Sequence, residues 1–309
     1  MIGFGHVARN SWLPTLRAAG FHCSVYDIDI EARSAANEAG CKVYDYLPPA
    51  ANYADFALIL TPSPRHAADA TSALRAGYHV LLEKPATTTI QEWIGVSSLA
   101  ESLDRVALAA PLTYAGAAAG ATARIINSSR LGELASVQVH LAKPGPFLND
   151  GTVAPNRIWF LGPDAGPARD FAPYPLALLV YLLGPMADVR WSIPSSPKQE
   201  PHLLTGRFGD YPFSGVFSYS HAPARPCPVM LTFSGGTVCL DSEAVDVLPT
   251  VDGVGDTAIP APIPRTKYAL ALQHLLASLQ DRRIVEVNHQ VNADVILILE
   301  KLGNHNYGR

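Results

Sequence analysis

The feature that most constrains this chain is an alternation in its first hundred residues. Short apolar runs are each followed by a stretch of helical spacing that stops at or near a glycine. Phe56 to Leu60 and His79 to Leu82 are the clearest runs. Runs this short, with no polar alternation, are the mark of parallel strands buried on both faces. Cys23 to Asp27 and Cys41 to Tyr44 read as two further short strands. Helical spacing covers Trp12, Leu13 and Leu16 up to Gly20, Ile30 to Ala39 before Gly40, Arg65 to Ala76 before Gly77, and Ile90 to Leu103. Strands alternating with helices in this way give right-handed βαβ units and a doubly wound parallel sheet. Ligands of such sheets lie beyond the carboxyl ends of the strands. That rule gathers Gly3–Ala8, Asp27, Thr61–Pro62 and Glu83–Lys84 into one mouth, although they are far apart in the chain.

Within that mouth, Gly3-x-Gly5-x-x-Ala8 has a physical reading. Gly3 permits a tight turn, Gly5 lets the backbone approach a pyrophosphate, and Ala8 lets helix pack closely on sheet. The helix start then offers unpaired N–H groups and a positive dipole end to the phosphates. Phe4, His6 and Val7 complete the turn. Asp27, ending the next strand, would accept hydrogen bonds from the adenosine ribose and repel a 2′-phosphate, which favours NAD over NADP. Its bland alternative is a solvated turn residue. Only Met1 and Ile2 precede Gly3, so the first, central strand is expected to be partial and the sheet weakly held.

After about Ala110 the pattern changes. Leu112 to Asn127 reads as a small-residue helix. Leu134–Ala142, Met186–Ile193, Leu203–Phe208, Phe213–Tyr219, Val229–Phe233 and Thr237–Leu240 read as strands. Pro175 to Leu183, apolar all round and ending at Gly184, reads as a buried helix. Tyr268–Leu279 and Val291–Leu302 read as amphipathic closing helices. The expected architecture is an α/β Rossmann domain over 1–110 and an α+β substrate and oligomerisation domain over 111–309, with a mostly antiparallel open sheet.

Composition excludes several function classes. The 309 residues carry a net charge of −4 with no basic run, so no nucleic acid or anionic membrane partner is expected. Cys23, Cys41, Cys227 and Cys239 are scattered without a C-x-x-C pair, so neither a disulfide framework nor a zinc site is expected. No secretory leader is apparent and Val106–Ala123 is too broken to span a membrane, which leaves the cytoplasm as the default location.

Three residues stand out for chemistry. Lys84 sits at the mouth of the parallel sheet in Glu83-Lys84-Pro85. Asp170 and Tyr174 open the all-apolar helix, four residues apart and therefore on one face if the turn is helical. Unpaired burial of such groups costs a few kcal/mol, roughly, so they need partners, and a lysine facing them would serve. Carbonyl reduction needs a proton donor beside the hydride donor. Either Tyr174 gives the proton, with Lys84 as the positive charge that eases its loss, or Lys84 is itself the acid/base or the holder of the substrate oxygen. Asp170 would orient Lys84 or bind a substrate hydroxyl. Their structural alternatives are a surface lysine, a helix cap and a core tyrosine. His66, after Thr61-Pro62, has either a structural or a cofactor-contacting role. His140, His202, His221, His274, His289 and His305 show no ligand spacing and read as structural. Trp159, ahead of Asp170, reads as a core or interface aromatic, with a cover over the nicotinamide as its functional alternative.

Taken together, Gly3-Phe4-Gly5-His6-Val7-Ala8, Tyr26-Asp27, Thr61-Pro62 with His66, and Glu83-Lys84-Pro85 resemble the glucose–fructose oxidoreductase/inositol dehydrogenase family (Gfo/Idh/MocA). The stretch Gly166–Gly184, with Asp170 and Tyr174, matches its second-domain motif in position. The resemblance implies NAD or NADP as cofactor and hydride transfer on a sugar-like carbonyl or alcohol. It also implies homo-oligomers formed through the second domain's sheet, and a site lined by Lys84 and Asp170. The chain departs from the family at Tyr174, where many members carry His. It departs also at Arg169 beside Asp170, and at Val106–Ala118, which lacks the usual sixth-strand signals. The competing reading, from another class, is a regulatory protein that binds the dinucleotide without turnover.

Overall fold

The computed structural model describes residues 1–52, 55–143, 145, 152, 166–194, 201–219, 228–245, 247, 249–252 and 266–303. Trp159, His221, Cys227 and His305 lie outside them. The chain forms two compact units, Met1–Ala110 with Tyr268–Ile296, and Pro111–Lys267 with Leu297–Arg309.

The first unit is built on a parallel sheet. Its strands are β1 (Ser24–Tyr26), β2 (Lys42–Tyr44), β3 (Phe56–Ile59), β4 (His79–Leu82) and β5 (Ala107–Ala109), with β1 on β2 and β3-β4-β5 in sequence. The two groups are joined by Ile2, which makes parallel bridges to Tyr26 and to Ile59. Its amide donates to the Leu58 carbonyl (2.8 Å), and its carbonyl accepts from the Leu60 amide (2.8 Å). On the other side Met1 and Gly3 exchange bonds with Tyr26 (2.9 and 3.0 Å). The expected partial strand is therefore present and pairs on both edges. The helices α1 (Leu13–Ala18), α2 (Ile30–Glu38), α3 (His66–Arg75) and α4 (Ile90–Ser102) connect the strands. Thr89 and Glu92 close a capping box at the start of α4. The core cluster runs from Ile2 and Ile59 through Val80 and Leu82 to Trp93 and Val96.

The second unit is a seven-stranded sheet with helices α5 (Ala117–Ser128), α6 (Pro167–Phe171) and α7 (Pro173–Leu183). Its strands are β6 (Leu134–Lys143), β7 (Met186–Ser192), β8 (His202–Phe208), β9 (Tyr211–Tyr219), β10 (Pro228–Phe233), β11 (Gly236–Asp241) and β12 (Thr250–Val251), in the order β12-β11-β10-β6-β9-β8-β7. All neighbours are antiparallel except the central pair β6 and β9. Val137, Val139 and Leu141 alternate into the buried face, as period two requires. The helix expected over Leu112–Asn127 is interrupted. Gly116 is extended, a Cβ there would lie 2.9 Å from the Val245 carbonyl oxygen, and only a 3₁₀ turn precedes it.

Two closing helices end the described chain, α8 (Lys267–Ser278) and α9 (Arg282–Gly303). The domain division expected from sequence placed both in the second domain, but Tyr268–Ile296 belongs to the first unit. The reason is polar. Asn288 exchanges two hydrogen bonds with the backbone of Ala109 on β5, its Oδ1 accepting at 2.9 Å and its Nδ2 donating at 2.8 Å. Asn292 donates to the same carbonyl (3.3 Å), and His289 Nε2 lies 2.8 Å from the Ala107 carbonyl. These side chains satisfy the free edge of β5, where a sixth strand would otherwise pair. They also explain why α9 begins nine residues before the start expected at Val291. Polar residues that face a strand edge break the apolar period. Among the described residues, no helix is long and apolar enough to cross a membrane.

Candidate functional site

The glycine turn leaves the central strand at Ile2. Gly3 has φ +91°, and a Cβ there would lie 2.9 Å from Leu60 C and Thr61 N, so the turn presses directly on the end of β3. The Phe4 amide donates to Asp27 Oδ2 (2.8 Å), while Asp27 Oδ1 accepts from the Asp29 amide (2.9 Å). The carboxylate is thus oriented by two backbone N–H groups and keeps further acceptor capacity. Around Gly5 no heavy atom would lie within 4 Å of an added Cβ, so the space in front of the turn is open. His6 is exposed and its Nδ1 accepts from Asn10 Nδ2 (3.0 Å), Val7 is half-buried, and Ala8 is fully buried. Ala8–Trp12 is a π-helical turn that runs into α1, an irregularity common at functional sites and invisible to sequence spacing. Backbone donors at a helix start, an open approach and a carboxylate one strand away fit a dinucleotide pyrophosphate and its ribose.

The loops after β3 and β4 are held from behind. Thr61 Oγ1 donates to Asp69 Oδ2 (2.7 Å), Arg65 donates to Asp69 Oδ1 (3.0 Å), and Pro62 is exposed. His66 is only 1% exposed. Its ring lies between the carbonyls of Thr61 (2.7 Å) and Pro85 (2.9 Å), and burial pushes its pKa down. It therefore stands behind the mouth and links two of its loops. Glu83 is buried as well. Its Oε1 accepts from the Trp12 indole (2.9 Å) and its Oε2 from the Lys84 amide (3.0 Å). Glu83 ties the glycine-turn helix to the segment that carries the half-buried Lys84, whose peptide bond to Pro85 is cis.

In the second unit, Ala172 is helical (φ −60°, ψ −28°), so the turn passes from α6 to α7 in spite of Pro173, and Asp170 and Tyr174 share a face. Tyr174 is 7% exposed. Lys267 Nζ lies 4.1 Å from its ring centroid and Lys143 Nζ 5.6 Å, within cation–π range. Glu243 binds both amines, accepting from Lys267 at 2.6 Å and pairing also with Lys143. Burial, and next the charge of Asp170, push the Tyr219 phenol well up, and burial also raises Asp241. Lys143, Glu243 and Lys267 were not found by sequence reasoning. Each sits at or near an element end, with no spacing signal to join it to Tyr174.

His202 of β8 lies under Gly166, where a Cβ would come within 3.0 Å of its Cε1. It is 4% exposed, and neither ring nitrogen has a hydrogen-bond partner among the described residues. Burial lowers its pKa from 6.5 to about 4. The unfolded chain binds the proton first, so stability is complete above pH 6.5 and falls as pH drops toward 4. His66, His274 and His289 are shifted the same way by burial. A thermal melt series from pH 7 to pH 4 is expected to show this loss, with His202 contributing about 3 kcal/mol. His202→Leu should flatten that part of the curve, and an unchanged slope would refute the assignment.

Residues 1–110 match the model of the oxidoreductase family with an NAD-binding Rossmann fold, GFO_IDH_MocA. No curated protein matches the chain. Solved structures match over nearly its whole length. The WlbA dehydrogenase of Bordetella pertussis, solved with NADH and UDP-GlcNAcA, is 17% identical; the match covers 98% of this chain and 94% of that one with a TM-score of 0.77. GenD2 of gentamicin A biosynthesis, solved with NAD, is 18% identical over 97% and 91% of the two chains, TM-score 0.76. Biliverdin reductase of Synechocystis, solved with biliverdin and NADP+, is 18% identical over 98% and 97%, TM-score 0.70. At such identities the likeness is one of fold.

Proposed function

We propose that this chain transfers a hydride between NAD and a carbonyl or alcohol of a sugar-like substrate, starting from the match of residues 1–110 to the model of the GFO_IDH_MocA oxidoreductase family with its NAD-binding Rossmann fold. The observation that carries this reading is the Asp27 carboxylate, held 2.8 Å from the Phe4 amide beside the open approach to Gly5. The bound dinucleotide supplies or accepts the hydride. Gly3 to Val7 hold its phosphates, Asp27 its ribose, and the Thr61–Pro62 and Glu83–Lys84 loops border it, with His66 fixing both loops. Tyr174 gives a proton to the substrate oxygen on reduction and takes it back on oxidation. Lys84 holds that oxygen or shares the acid/base role, and Asp170 binds a neighbouring hydroxyl. The sugar class follows WlbA, which was solved with a nucleotide sugar. The same reading carries a cytoplasmic homo-oligomer joined through the second unit's sheet.

Titration with NADH, followed by a panel of sugars, nucleotide sugars and their oxidised forms, tests this reading. Lys84→Ala and Tyr174→Phe are each expected to lower turnover about a hundredfold while NADH still binds. Full turnover in both variants would remove the catalytic roles. NADH binding with no turnover on any member of the panel would favour a dinucleotide sensor.

A further inference from the structure

β1 and β2 pair in parallel with Ser24 against Lys42, Val25 against Val43 and Tyr26 against Tyr44. The residues immediately before the first pair are Cys23 and Cys41. The ladder reaches them, because the Lys42 amide donates to the Cys23 carbonyl (3.2 Å). Neighbours in register stand about one strand spacing apart, roughly 5 Å, with side chains leaving the same face. That spacing lies inside the ~4.4–6.8 Å range of α-carbons joined by a disulfide. Both thiols are free, with Cys41 buried and Cys23 half-buried. Burial pushes both thiols up, and for Cys23 the next cause is the charge of Cys41, as expected of neighbouring sulfurs.

We propose that Cys23 and Cys41 form an oxidisable dithiol, a modification site at which a peroxide closes a disulfide between the two outer strands of the Rossmann sheet. At alkaline pH, where the raised Cys23 thiol ionises, the more accessible Cys23 thiolate attacks the peroxide O–O bond and becomes a sulfenic acid as the first water leaves. The Cys41 thiol then displaces the sulfenic oxygen, the S–S bond forms, and the second water leaves. Two thiols give up two electrons and two protons, and one hydrogen peroxide is reduced to two waters. The new bond closes the segment that holds Asp27 and α2, so oxidation staples the strand that presents Asp27 to its outer neighbour. Cys23 lies at the start of that strand and Asp27 just past its end, which leaves the glycine turn clear of the reaction.

The test uses the full chain carrying Cys227→Ser and Cys239→Ser, treated with hydrogen peroxide while folded, then alkylated and mapped by mass spectrometry. The expected result is a linked pair of peptides containing Cys23 and Cys41, a mass loss of two hydrogens, and reversal by dithiothreitol. The melting temperature should rise by several degrees through the closed loop. Cys23→Ser and Cys41→Ser should each abolish the linked species. Alkylation of both cysteines after treatment, or a sulfinic acid on Cys23 without any link, would overturn the proposal. If the serine background does not fold, the same mapping on the unsubstituted chain decides, since linked peptides are identified by their own sequences.

Discussion

Gly5→Ala leaves the melting temperature of this protein where it is and removes NADH binding, whereas Gly3→Ala loses both. The two glycines sit two residues apart in one turn, and their surroundings differ completely. A Cβ on Gly3 would need a residue at φ +91° and would press on Leu60 and Thr61 at 2.9 Å, backbone atoms that cannot move without shifting the end of β3. Strain of that kind costs about 2–4 kcal/mol. A Cβ on Gly5 would meet no heavy atom within 4 Å, so the folded protein tolerates it. The same methyl group would stand where the phosphates must approach the backbone. Losing two charge-assisted hydrogen bonds to phosphate costs about 3–6 kcal/mol, or roughly 10²–10⁴-fold in Kd. Nicotinamide fluorescence and a thermal melt on each variant measure both quantities. Tight NADH binding by Gly5→Ala would show that the phosphates lie elsewhere.

The second large effect is expected far from the chemistry. Asn288→Leu should destabilise the protein by about 2–4 kcal/mol, because it keeps the side-chain volume, strips the partner from the Ala109 amide and leaves the Ala109 carbonyl only the longer bond from Asn292. Asn288 is fully buried, so water does not replace the lost bonds. For a unit of this size the melting temperature should fall by about 10 °C. NADH affinity measured well below the melt should change little, because the bonds of Asn288 to Ala109 lie on the edge of β5 and not in the glycine turn. A loss under about 1 kcal/mol would mean that the edge of β5 finds other partners.

Local chemistry made much of this legible. The buried runs at Phe56–Leu60 and His79–Leu82, with glycines ending the intervening helices, specify parallel strands and crossovers, since only a strand covered on both faces tolerates consecutive apolar residues. The glycine turn, Asp27, Thr61–Pro62 and Glu83–Lys84 could be placed at one mouth because strand ends in a doubly wound sheet share a side. The polarity of individual contacts could not be read in this way. Glu83 is buried under Trp12, and His66, which the sequence left between a structural and a cofactor-contacting role, lies between two carbonyls. Lys143, Glu243 and Lys267 come from distant segments and meet at Tyr174.

The sequence by itself therefore determined the order of strands and helices, the glycine turn and the acid one strand away, because periodicity and backbone freedom act over a few residues. Tertiary structure alone decided which helix closes the edge of β5, which lysines rest on Tyr174, and which cysteines stand side by side. Those contacts join residues tens to nearly two hundred positions apart, and hydrogen bonds and charges leave no periodic trace in the chain that supplies them.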